Sequence, residues 1–75
     1  MVTYRNLGGD SNVRAFEIGT DSITVQFGDG SFYLYTYRSA GQGNIEQMKV
    51  LAMAGRGLNS FIMRHVKHGY EKKWR

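Results

Sequence analysis

Ile23-Thr-Val-Gln-Phe-Gly-Asp-Gly-Ser-Phe-Tyr-Leu-Tyr-Thr-Tyr37 decides the fold. Apolar and polar side chains alternate on both sides of a Gly-Asp-Gly turn, the pattern of a β-hairpin. Two registers are open. If Asp29-Gly30 forms a two-residue turn, Val25 faces Leu34 and Phe27 faces Phe32, and Tyr33, Tyr35 and Tyr37 share the opposite face with Thr24 and Gln26. If Gly28-Asp29-Gly30 is a three-residue loop with Gly30 left-handed, Val25 faces Tyr33 and Ile23 faces Tyr35. The tyrosines then join the core side, and Phe32 and Leu34 point outward. A slip of one residue turns over a whole face.

Upstream, Asn12-Val-Arg-Ala-Phe-Glu-Ile18 reads as a first strand, and Gly19-Thr-Asp-Ser22 as a turn. Residues 1–11, with Gly8-Gly9-Asp10-Ser11, read as a flexible leader. Downstream, Ser39 to Gly43 is a connector. Asn44 suits a helix N-cap with Gln47 three residues on, which predicts a helix from about Ile45 to Ala54 that ends at Gly55. Ile45, Met48 and Ala52 make one apolar stripe. Val50 and Met53 make a second, so this helix is expected to be sandwiched. A second helix starts near Leu58 to Ser60 and ends at Lys67 to Gly69, with Leu58, Phe61, Ile62 and His65 on one face and Ser60, Arg64 and Lys67 on the other. Residues 71–75 form a basic tail. The expected fold is α+β: a three-stranded antiparallel β-meander followed by two α-helices packed on one face, with the domain spanning residues 12–70.

The 75 residues suffice for one small domain, whose stability margin is thin at this length. There is no cysteine, hence no disulfide framework or thiolate metal site. The N-terminus lacks the apolar run of a signal peptide, and the longest apolar run, Val50 to Ala54, is too short to cross a bilayer. The expectation is a soluble cytoplasmic protein with no membrane contact.

Charge is distributed unevenly. The net formal charge is +4. Residues 1–44 carry three arginines against four carboxylates, a net −1, whereas residues 45–75 carry seven cations against two carboxylates, a net +5. That asymmetry points to a polyanionic partner.

The order of elements resembles a known family. Asn12-Val-Arg-Ala, Val25-Gln-Phe before the glycine turn, Tyr33-Leu-Tyr35, and Gly55-Arg-Gly-Leu-Asn59 leading into Phe61-Ile-Met-Arg64 look like the KTSC domain. That domain is found at the C-terminus of some lysyl-tRNA synthetases and as small stand-alone proteins. The resemblance spans roughly residues 11–70 and implies a small binding domain for which RNA has been suggested as ligand. Leu34 stands between the tyrosines where such domains often carry a polar residue.

Catalysis is not expected. His65 and His68 are three apart on the second helix, with no carboxylate on those turns, and a catalytic zinc needs a third protein ligand. His65 also falls on the apolar stripe, which predicts a partly buried histidine. Ser39 and Ser60 lack a neighbouring base. No metal or cofactor site is expected. Gly55-Arg-Gly-Leu-Asn-Ser60 is a tight interhelical turn, although the helix N-terminus beside Arg56 suits one phosphate. Nucleic-acid binding needs clustered cations and aromatic platforms. The candidate cations are Arg56, Arg64, Lys67, Lys72, Lys73 and Arg75, and the candidate rings are Tyr33, Tyr35, Tyr70 and Trp74. The expected function is non-catalytic binding of RNA or DNA. The alternative is a protein-interaction or homodimer module with Phe32 and Leu34 at the partner surface.

Overall fold

The hairpin adopts the three-residue loop. Phe27 N–H donates to the Ser31 carbonyl and Gly30 N–H to the Phe27 carbonyl, each at 2.9 Å. Gly30 sits at φ 90°, a conformation open to glycine at little cost. Val25 accordingly pairs with Tyr33 and Ile23 with Tyr35. The tyrosines lie on the same side as Ile23, Val25 and Phe27, while Phe32 and Leu34 face the other way.

In the computed structural model, which describes residues 1–9 and 11–75, this hairpin is the centre of a five-stranded antiparallel sheet in sequence order. The strands are β1 (Val2–Thr3), β2 (Val13–Ile18), β3 (Ser22–Phe27), β4 (Phe32–Thr36) and β5 (Tyr70–Trp74). Three helices follow β4: α1 (Tyr37–Ala40), α2 (Gln42–Ala54) and α3 (Leu58–Phe61), the last continuing as a π-helical stretch, Ile62–Val66. The protein is α+β, with two strands and one helix more than the three-stranded, two-helix expectation.

Both extra strands come from segments that read as leader and tail. Val2 and Thr3 pair with Phe16 and Ala15. Next in line, Tyr4 donates its N–H to the Arg14 carbonyl and buries its ring, which is 3% exposed. Its hydroxyl accepts the Leu58 N–H at 3.3 Å, satisfying one of the free donors at the start of α3. At the other edge, β5 pairs along β4, Phe32 with Trp74 and Tyr33 with Lys73. A two-residue strand has no alternation to read, and Tyr-Glu-Lys-Lys-Trp looks like a solvated tail. What orders it is the open edge of β4, whose backbone groups need partners. Asp10, in the glycine-rich part of the expected leader, lies outside the described residues.

The helices depart from expectation in three places. First, the capping box falls at α1, where Thr36 Oγ1 accepts the Ser39 N–H and Ser39 Oγ accepts the Thr36 N–H, each at 3.0 Å. The next helix begins at Gln42, before the expected Asn44 cap, and Asn44 donates its side-chain amide to the Ala40 carbonyl. Second, α2 is not sandwiched. Ile45, Met48 and Ala52 are buried, but Val50 and Met53 are 60% and 61% exposed. Third, His65 is exposed and leans on Phe61 at 4.6 Å between ring centroids. The wider turn of the π-helical stretch places Leu58, Ile62 and Val66 on the core side, four residues apart, and carries His65 off the buried stripe.

The core joins these layers on one side of the sheet. Its fully buried side chains are Ile23, Val25, Tyr35, Ile45, Met48, Leu58 and Ile62. Gly55, at φ 77°, ends α2 and accepts the Leu7 N–H at 2.7 Å. A β-carbon there would lie 2.9 Å from the Arg5 β-carbon, so the N-terminal segment crosses the interhelical turn too closely for any other residue. No helix among the described residues is long and apolar enough to cross a membrane.

Candidate nucleic-acid interface

The helix-side face of the hairpin supplies the rings. Tyr33 meets Phe27 edge-on at 5.1 Å and Tyr70 edge-on at 4.9 Å, and lies nearly parallel to Tyr35 at 6.4 Å. Such edge-to-face and offset contacts suit the ring quadrupoles. Pairing across the β4–β5 ladder then sets Lys73 beside this cluster. Its Nζ is 5.8 Å from the Tyr33 ring centroid and 5.7 Å from that of Tyr70, within cation–π range of both.

Beside these rings is a groove of about 410 Å³. Tyr33, Tyr35 and Tyr70 line it together with Lys73 from β5, and Lys67 and His68 from the end of the second helical segment. Asn12 and Asn59 add amide donors and acceptors. The π-helical stretch matters here: with Ile62 and Val66 fixed in the core, the residues directly after it, Lys67 and His68, border the groove.

One anion stands at the rim. Hydrogen bonds from the Ser31 hydroxyl at 2.6 Å and amide at 2.9 Å hold the Asp29 carboxyl below the usual carboxylate range, and the charge of Arg75 adds to this. Lys73 shares both of its depressions with Asp29, so a phosphate is favoured toward the Lys67 side of the groove.

Burial raises the Tyr35 hydroxyl pKa well above the ordinary tyrosine range, with the neighbouring Tyr33 and Tyr70 adding to it. The folded state thus holds a proton that the unfolded chain releases near pH 10. This contribution to stability is whole below that pH and is lost as pH rises above it. In an alkaline titration followed by phenolate absorbance, Tyr35 is expected to ionise only as the protein unfolds. A smooth titration of all five tyrosines with the fold intact would contradict it.

The expected site residues divide between two faces. Tyr33, Tyr70, Lys67 and Lys73 come together at the groove; Tyr35 borders it as well but is 1% exposed, so its ring belongs to the core and is not the stacking platform expected from the sequence. Trp74 and Arg75 border a shallower depression that shares Tyr33 and Lys73 with it, and the Arg75 guanidinium donates to the Asp29 carbonyl at 2.8 Å. Arg64 borders another depression that meets the groove at Lys67 and His68. Arg56 does not join, lying with Tyr4, Asn6 and Gly57 across the interhelical turn. Lys72 is also separate, because neighbouring strand residues point to opposite faces. It pairs with Leu34 on the outer face, where Phe32 stacks on Trp74 at 5.5 Å.

Comparison with family models, curated proteins and solved structures finds no match to this chain.

Sequence reasoning missed Asn12, Asn59 and His68. Asn12 precedes a strand, Asn59 sits in a turn motif and His68 follows a helix, and none belongs to a periodic pattern that would place it near the tyrosines. Among the described residues, no three His, Asp or Glu side chains gather as metal ligands.

Proposed function

We propose that this domain is a non-catalytic binding module that holds a single-stranded nucleic acid, RNA before DNA, along the tyrosine-walled groove. One observation carries this reading: Lys67 and Lys73, from two separate elements, border the same groove as Tyr33 and Tyr70. Cations beside accessible rings are the combination that single-strand binders use, the first for phosphates and the second for base faces. A volume of about 410 Å³ falls in the range of small-ligand pockets and admits one nucleotide unit. The amides of Asn12 and Asn59 offer hydrogen bonds to a base edge. Kinship with the KTSC domain over residues 11–70 is part of the proposal and rests on the sequence motifs alone.

The test is binding of a labelled single-stranded RNA across a series of salt concentrations. Each phosphate contact contributes about −0.7 to the slope of log K against log salt. Lys73→Ala is expected to make that slope shallower by roughly one contact's worth, about 0.7. Lys72→Ala removes the same charge from the opposite face and is expected to leave the groove's contacts in place. A flat salt response, or equal losses for the two variants, would remove the proposal.

A further inference from the structure

We propose that the outer face of the sheet binds a second copy of this chain, sheet against sheet, about a two-fold axis that runs along the strands between β3 and β4. This goes beyond the groove, which lies on the helix side.

No helix covers the outer face. Two rows of side chains cross it beside a third, in which Ser22 pairs with Thr36 and the Thr36 hydroxyl donates to Glu71. The register places Glu17 beside Thr24, Thr24 beside Leu34 and Leu34 beside Lys72. The next row runs Ala15, Gln26, Phe32 and Trp74. Trp74 is 43% exposed and stacked on Phe32, so the face carries a large apolar platform at one side; at the other, the row passes through Ala15, which is small and 8% exposed beside a β-bulge, to Thr3 of β1.

A two-fold axis along the strands reverses each row against itself. Glu17 then meets Lys72 of the other copy, and Thr24 meets Leu34. Trp74 lies over Ala15, and Phe32 over Gln26. Every opposed pair is unlike in charge or in size, which is what an isologous interface requires. Sheets that pack face to face align in this way, about 10 Å apart.

Among the described residues the one ion pair is Glu46–Lys49, so neither Glu17 nor Lys72 is ion-paired with any of them. The charged row spans about 14 Å, three strand spacings, from Glu17 to Lys72. Such a patch is smaller than a standard protein interface and belongs to the size class of weak, transient contacts, so the association is expected to be reversible. Two other arrangements fit less well. A nucleic acid on this face would set its phosphates near Glu17 and Glu71, the latter held there by the Thr36 hydroxyl at 2.9 Å. Pairing of β5 edge to edge would bring Lys72, Lys73 and Arg75 of each copy together.

Sedimentation equilibrium of the full chain from low to high micromolar concentration tests this. The expected result is a reversible monomer–dimer equilibrium. Glu17→Lys and Lys72→Glu should each weaken it about tenfold or more, since each sets like charges opposite one another twice per dimer. Together the two reversals should restore it to within about threefold of the original, because the opposed charges are again unlike. Trp74→Ala should weaken it without touching the charges. Both charged positions are exposed, and circular dichroism checks that each variant is folded. A strict monomer at high concentration overturns the proposal. So does a dimer that neither reversal weakens, or a double reversal no tighter than the single ones. RNA cross-links at Phe32 and Trp74 on a protein that stays monomeric would assign the face to nucleic acid and overturn it as well.

Discussion

Tyr4→Ala is expected to remove about 3–5 kcal/mol of folding stability, the usual cost of truncating a buried aromatic ring. A domain of this size has roughly 4–11 kcal/mol in all, so the variant should be partly unfolded at room temperature or close to it. Two effects act together. The ring fills space in the core beside elements that meet there from both ends of the chain. The hydroxyl accepts the Leu58 N–H, so its loss also leaves a helix-start donor without its partner. Tyr4→Phe separates them: the ring stays, and the cost should fall to about 1 kcal/mol, that of one hydrogen bond. Urea unfolding followed by circular dichroism measures both. A Tyr4→Ala variant as stable as the original would mean that the N-terminal segment does not hold the fold together.

The double variant Lys67→Glu/Lys73→Glu is expected to lower affinity for single-stranded RNA about a hundredfold at low salt. Each lysine offers one charge-assisted contact of roughly 1.5–3 kcal/mol, and a hundredfold change is about 2.7 kcal/mol. Placing carboxylates in the groove next to Asp29 adds repulsion. Both lysines are exposed, so stability should change by less than about 0.5 kcal/mol. The control is Arg56→Glu, which reverses a charge on the far side of the interhelical turn and should cost far less. Fluorescence anisotropy with the same labelled strand reads all three proteins. Equal losses for the double variant and the control would reduce the interaction to diffuse attraction by net charge.

The centre of the molecule was legible in its sequence, and the edges were not. Alternation around Gly28-Asp29-Gly30 marked the hairpin, and a glycine at the third loop position suited the register that occurs. The stripe Ile45, Met48 and Ala52 gave the buried side of α2. In contrast, β1 and β5 exist because β2 and β4 offer open edges, and that demand is tertiary. His65 was misplaced because a spacing of 3.6 residues does not hold through a π-helical stretch. At the candidate site the tyrosines and Lys67 and Lys73 were found by residue type. The separation of Lys72 was hidden because it depends on the ladder that orders β5, and that of Arg56 because it depends on how the N-terminal segment crosses the interhelical turn.

That ladder has a kinetic side. Every other strand pairing joins neighbours across a turn or a short segment, whereas β4 meets β5 only after all three helices have intervened. Contacts closed over long stretches of chain form late and open first when the pairing strand is little buried. In β5 only Tyr70 is partly covered, and the other four residues are exposed. Tyr70 and Lys73 therefore belong to the section of the sheet expected to fray most readily, while Tyr33 sits on the inner strand β4 and Lys67 follows a helical stretch anchored in the core by Ile62 and Val66. A bound strand that bridges these two pairs would act as a clasp, and the amide protons of β5 would report its arrival by their slowed exchange with solvent.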